Sequence, residues 1–166
     1  LECEGKTVLF KKSFARITFK EALARYALIT DYEGETRESL DVRARQFGTD
    51  VSPHDSKGKI ADLIYKKICR PYLIQPTFLI DYPLDISPLA KKRKENQEEV
   101  RRFQLIVAGM EVANGFSELN DPIDQRARLH LQEIERSEGE EEAHPLDEDF
   151  IEALEYGMPP AAGLGI

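Results

Sequence analysis

A chain of 166 residues with 41% hydrophobic and 33% charged residues is long enough for one domain with a real core. Its net charge of −8 argues against gripping nucleic acid by bulk electrostatics, and no apolar run approaches the ~20 residues of a membrane span. Two cysteines, Cys3 and Cys69, make no disulfide framework and fit a reducing cytoplasm. The start, Leu1-Glu2-Cys3-Glu4-Gly5, has neither Met nor the segments of a secretory signal, which points to a processed product or a piece of something longer.

In chain order, the stretch from Val8 to Phe19 alternates loosely and predicts a strand over part of its length. Thr18 with Glu21 forms a capping-box pattern, so a helix follows to about Leu28. A turn lies around Gly34, and Ser39 is the expected cap of a helix that ends before Gly48. Residues 49–58, with Pro53 and Gly58, read as loop. Ile60, Leu63, Ile64 and Ile68 recur at helical spacing, predicting an amphipathic helix from about Lys59 to Cys69 that Pro71 stops.

Thr77 to Asp81 is a short apolar run between prolines and reads as a buried strand. Lys91 to Glu99 is charged and looks mobile. Its Lys91-Lys92-Arg93-Lys94 run, with Arg101-Arg102, is a candidate basic patch, split by acidic residues. Phe103 to Ala108 and the run from Val112 read as an antiparallel hairpin turning at Gly109. Asp121 caps and Pro122 opens a helix to about Ser137. Gly139 and Glu140-Glu141-Glu142 break it into a solvated turn. Asp147 caps a last helix with Gly157 just past its end, and the tail Pro159 to Ile166 is apolar and glycine-rich. The elements amount to an α+β chain: an antiparallel sheet flanked by helices, without repeat or linker.

Val112-Ala113-Asn114-Gly115-Phe116-Ser117-Glu118 carries the most chemistry. On a strand, Asn114, Phe116 and Glu118 project from one face, and Ala113, Gly115 and Ser117 from the other. An aromatic wall between an amide and a carboxylate suits a small ligand with an apolar stem and a cationic end. The same pattern also fits an edge strand with a solvated polar face and one buried Phe. His54, His130 and His144 show no metal-ligand spacing, and Ser87 and Ser117 have no His–Asp companions. Asp147 and Asp149 are explained as helix-start charges.

The longer stretch Glu111 to Arg126, containing Ser-Glu-Leu-Asn-Asp-Pro-Ile-Asp-Gln, resembles the lysine-site segment of class II lysyl-tRNA synthetases. Gln75-Pro76-Thr77-Phe78-Leu79-Ile80-Asp81-Tyr82-Pro83 with Ile86-Ser87-Pro88-Leu89-Ala90-Lys91 resembles the family's central strand and following turn. Pro145 to Phe150 through Glu155-Tyr156-Gly157-Met158-Pro159-Pro160 resembles its approach to motif 3. The match is dense and in order from about Ile60 to Ile166 and looser before.

The resemblance implies that residues 1–166 are a single partial domain, the C-terminal part of a class II catalytic core, in which lysine is joined to ATP and passed to tRNA(Lys). It implies lysine contacts by Asn114, Phe116 and Glu118. It also implies Mg2+ on the ATP phosphates, held by Glu111. The family's second metal carboxylate falls in an Arg-Phe-Glu-Leu pattern; here it is Arg102-Phe103-Gln104-Leu105, so Gln104 brings an amide oxygen and no charge. Glu111 is odd and Asn114 even, so a regular strand opposes them; either a bulge lies between, or they serve different sides of the pocket.

The arginines of motifs 2 and 3, the dimer-forming motif 1 and the anticodon-binding domain find no match in the chain. It is therefore expected to form no lysyl-adenylate alone, whereas the family's full-length enzyme is a cytoplasmic homodimer without membrane attachment. Two alternatives stay open. One is a non-catalytic truncated paralogue that binds an amino acid or a partner protein. The other is a relative of the ligase that places lysine on elongation factor P, against which the Ser-Glu-Leu-Asn-Asp-Pro-Ile-Asp-Gln string and Leu146-Asp147-Glu148-Asp149 favour the synthetase.

Overall fold

The computed structural model describes residues 1–3, 5–137 and 145–166. Glu2–Cys3 (β1) and Lys6–Thr7 (β2) make a small hairpin at the start. Ala15–Thr18 (β3) leads into the helix Phe19–Ala27 (α1), and the expected capping box of Thr18 and Glu21 joins them. The next helix, Arg37–Gln46 (α2), starts earlier than expected. Thr36, not Ser39, is its cap: Thr36 Oγ1 accepts from the Ser39 amide while Ser39 Oγ accepts from the Thr36 amide. Ser39 thus fills the place that Glu fills in the usual box.

The helix expected over 59–69 begins at Lys57 under a Ser56 cap (α3, Lys57–Ile64) and loosens into a π turn over Tyr65–Cys69. Pro71 sits within the following 3₁₀ turn, Arg70–Tyr72, and does not end the helix at its own N-terminal side. Thr77–Pro83 (β4) runs two residues beyond the expected strand, because Asp81 takes a left-handed conformation (φ 58°) and lets the strand bulge and continue.

Glu99–Val107 (β5) and Met110–Ser117 (β6) form the expected hairpin, with Ala108 and Gly109 both at positive φ in the turn. Pro122–Ser137 (α4) and Glu148–Glu155 (α5) follow, the latter capped by Asp147 as expected. The solvated turn expected at Gly139 and Glu140–Glu142 lies outside the described residues. The glycine-rich tail is a strand, Ala162–Gly165 (β7), zipped along β6.

The sheet order is β3-β4-β5-β6-β7; β3 and β4 run parallel and every other pair antiparallel. This is the α+β architecture with a mainly antiparallel sheet that the pattern predicts. Register aligns Ile17, Leu79, Gln104 and Asn114 in one row across four strands. The β3 and β4 members of that row are buried under Phe19, Leu23, Ile60, Ile64 and Tyr65 of the helical layer. The core therefore covers one half of this face, and the row continues onto two amides at the other half.

The segment read as mobile is tied down at both edges. Lys91 donates its amide to Ser117 and accepts from Arg101, and Arg93 donates its amide to Glu99. Arg93 also pairs with Asp81, Lys92 with Asp124, and Lys91 Nζ donates to Asn120 Oδ1. Much of the basic run is thus neutralised within the fold. Among the described residues no helix is long and apolar enough to cross a membrane.

Candidate functional site

Residues of the β5–β6 hairpin build the site, and its register decides which side chains meet. Leu105 faces Ala113, but Ile106 faces Glu111, so Val112 is an extra residue in β6. This bulge reverses the alternation at one point. Glu111 consequently shares its face with Asn114 and Phe116, and the apparent conflict of odd and even positions disappears. Gln104 lies directly across from Asn114, and Arg102 across from Phe116.

Asn114 is half-buried, and its Oδ1 accepts from Arg102 Nε at 3.2 Å. Phe116 is half-buried as well and packs against the edge of the main core, with part of its side chain left open. Glu118 stands just past the end of β6. Its backbone is fixed on two sides: the amide donates to Ala161, and the residue bridges to Ala90. Its carboxylate makes no ion pair or hydrogen bond with a described residue. Burial alone pushes its carboxyl pKa up. A partly desolvated carboxylate without a counter-charge is a ready acceptor for a cation.

Glu111 is exposed on the same face, near the hairpin turn. Gln104 is only 6% exposed, and its side-chain amide makes no hydrogen bond with a described residue. Together they offer one carboxylate and one neutral amide oxygen. Among the described residues no group of three or more His, Cys, Asp or Glu side chains could hold a metal. Such a donor set suits Mg2+ that keeps waters and phosphates as its remaining ligands, not an ion caged by protein alone.

Sequence reasoning gave Arg102 no role at the site: it stood there in a candidate basic patch and as the first residue of the Arg-Phe-Gln-Leu run. It is the best-anchored cation at the site: Nη1 donates to Ile86 O at 3.1 Å and to the buried Ser87 Oγ at 3.0 Å, and the guanidinium lies 4.7 Å from the centre of the Tyr82 ring. Only the hairpin register brings it to Asn114. A cleft of about 630 Å3 elsewhere, lined by Tyr32, Lys57, Asp85 and Arg128 among others, includes none of the residues singled out above.

The family model described as tRNA synthetases class II (D, K and N) matches residues 2–166. A lysine–tRNA ligase of Moorella thermoacetica is 50% identical over 163 residues, covering 98% of this chain and 33% of that protein. One of Pelotomaculum thermopropionicum is 56% identical over 168 residues, covering 100% and 33%. One of Gloeobacter violaceus is 44% identical over 169 residues, again covering 100% and 33%. The chain spans about a third of the length of these curated relatives. Its sheet, its hairpin and the whole matched stretch agree: this chain belongs to the class II tRNA synthetase family of the D, K and N type.

Proposed function

We propose that the chain is the part of a lysine–tRNA ligase that supplies the lysine-binding strand and a share of the ATP–metal site. The observation that carries this reading is the carboxylate of Glu118, partly desolvated and without a partner among the described residues, at the end of a row with Phe116 and Asn114. Lysine's ammonium is compact and strongly hydrated, so a site must replace its water with a carboxylate. Glu118 takes the ammonium, the Phe116 ring lines the methylene stem, and Asn114 holds the far end.

The activity this serves joins lysine to ATP and passes it to tRNA(Lys), in the cytoplasm and within a homodimer. Glu111 would hold Mg2+, with the Gln104 amide oxygen as a weaker second ligand. When bound, that ion neutralises charge on the ATP phosphates. Activation is largely positioning and charge stabilisation, and in the family it needs the arginines of motifs 2 and 3 on the phosphates, for which this sequence has no match. The 166-residue chain by itself therefore forms no lysyl-adenylate; robust ATP–pyrophosphate exchange by the purified chain would overturn that statement.

Ligand-dependent stabilisation tests the pocket. A ligand that binds only the native state raises its melting temperature with concentration. Lysine should do so more than leucine, and Glu118→Gln should erase the difference. Equal shifts for the parent chain would defeat the reading. Gln104 favours one second reading, a non-catalytic paralogue that binds an amino acid or a protein. It predicts lysine stabilisation that Mg2+ and ATP leave unchanged, in the parent and in Gln104→Glu alike.

A further inference from the structure

We propose that the cleft between the start of α3 and α4 is a second binding site, for a small amphipathic amine: a ligand with a compact apolar body and one ammonium group. The cleft encloses about 630 Å3, within the ~300–1,000 Å3 usual for small-molecule sites. It shares no residue with the β6 face, so the inference stands apart from the lysine reading.

The walls come from separate stretches of chain, and each is tied to a neighbour. Tyr32, in the α1–α2 loop, meets the buried Phe19 ring edge-on at 6.2 Å between centroids. Lys57, at the start of α3, sets its ammonium 4.7 Å from the centre of the Tyr32 ring and donates to Glu33 O at 3.1 Å. Asp85 Oδ2 accepts from Ser56 Oγ at 2.9 Å and from the Gly58 amide at 2.7 Å, which pins the turn after β4 to α3. A Cβ on Gly58 would collide with that carboxylate, so the close approach depends on glycine. Leu84 donates its amide to Glu98 O at 3.0 Å, and the buried Arg128 closes the α4 side by donating to Pro88 O and Ala90 O. The cleft is therefore formed before any ligand arrives.

Its unspent polar capacity is of one kind. Both cations of the lining are engaged: Lys57 as above, and Arg128 with Asp124 and the two carbonyls. On the acidic side Glu33 pairs with Lys20, but the Glu98 carboxylate and Asp85 Oδ1 have no partner among the described residues. The Tyr32 hydroxyl has none either, and burial raises its pKa, with the Asp85 charge adding to the rise, so it stays protonated. Leu84, Pro88 and Leu131 supply apolar surface beside these groups. An anion would meet carboxylates without a free counter-charge, and a neutral apolar body would strip water from acceptors and return nothing. An ammonium on an apolar body meets both needs: the charge goes to Glu98 and Asp85, and the body lies on Leu84 and Leu131.

Tryptamine is the probe, and indole-3-propionate, of similar size and opposite charge, is its control. Each is titrated into the 166-residue chain and followed by amide chemical shifts, with and without saturating lysine. Tryptamine should move the amides of Leu84, Glu98 and Leu131, and lysine should leave that titration unchanged. Indole-3-propionate should bind there at least about tenfold more weakly, because like charges meet. Glu98→Gln should weaken tryptamine about fivefold, the loss of one charge-assisted contact at an open rim. Leu131→Lys places a cation in the cleft and should abolish tryptamine binding. Glu98 and Leu131 are both exposed, so these variants keep the fold. The site would be overturned by tryptamine that moves none of these amides, by indole-3-propionate that moves them equally, by lysine that displaces tryptamine, or by Glu98→Gln and Leu131→Lys variants that bind like the parent.

Discussion

The Glu118 carboxylate rests against Gly163 of the neighbouring strand: a Cβ on that glycine would stand 2.6 Å from Glu118 Oε1. Gly163 is paired with Phe116 in the β6–β7 register, so the bare backbone of β7 forms one side of the place that Glu118 occupies. The obstacle to a methyl group there is the mobile end of a side chain, not backbone. Gly163→Ala should therefore push the carboxylate aside while changing stability by less than about 1 kcal/mol. Thermal shifts with lysine and leucine check this. The lysine-specific part should vanish, and its survival would separate Glu118 from the ligand.

Gly115 behaves differently because its neighbours cannot retreat. A Cβ there would meet Gly163 O at 2.7 Å and the Phe103 ring at 2.9 and 3.0 Å. Relief requires moving β7 off β6 or displacing a ring stacked edge-on against Phe78. Gly115→Ala should cost about 1–3 kcal/mol, the usual range for overpacking. Denaturant unfolding should rank it well below Gly163→Ala in stability, and amide exchange should quicken along β7. The opposite ranking would mean that β7 is not seated on β6 in solution.

The elements legible in the sequence are those written in local chemistry. The Thr18–Glu21 box, the Asp121-Pro122 start and the Asp147 cap each need only a few consecutive residues, and each formed as expected. Thr36 was obscured because Ser39, itself a good cap residue, plays the partner three positions on. β7 was unreadable because Ala162-Gly163-Leu164-Gly165 has little strand preference of its own and is a strand by virtue of β6 beside it. The same holds for the site. Alternation named Asn114, Phe116 and Glu118, but the bulge at Val112 and the meeting of Arg102 with Asn114 are facts of cross-strand register, which a single run of sequence does not carry.

Glu118 should also leave a mark on the pH dependence of stability. Burial raises its carboxyl pKa in the folded state above the ordinary value of 4.5. The folded chain then holds the proton more tightly than the unfolded chain. The stability this group contributes is complete below the ordinary value and is lost as pH rises through the folded value. Glu118→Gln should flatten that segment of the stability–pH curve. An ammonium docked on the carboxylate acts in the opposite direction, so saturating lysine should draw the Glu118 pKa back down. Carboxyl carbon shifts followed with and without lysine read both effects, and a titration that lysine leaves unmoved would speak against contact.

Arg128 ties α4 to the flank of the site, and its loss should be felt in two ways. The side chain is buried (7% exposed), and its fork grips Asp124 through Nε at 3.0 Å and Nη2 at 2.6 Å. Nη1 reaches across to the carbonyls of Ala90 at 2.7 Å and Pro88 at 3.4 Å, and Gln125 Nε2 donates to the same Pro88 oxygen. That clamped segment runs beside Glu118: Ala90 bridges to it, and Leu119 donates its amide to Leu89. Arg128→Ala strands the Ala90 carbonyl and leaves Asp124 with Lys92 as its remaining cation, at 3.3 Å. The cost should be about 2–3 kcal/mol, because a charged group is left half-buried with fewer donors. Arg128→Lys keeps the charge but not the fork, and should fall between. The lysine-specific thermal shift should shrink in the same order, since the wall beside Glu118 loosens as its anchor goes. Denaturant unfolding of the three proteins decides the matter: Arg128→Ala within about 0.5 kcal/mol of the parent would show that α4 does not brace the site.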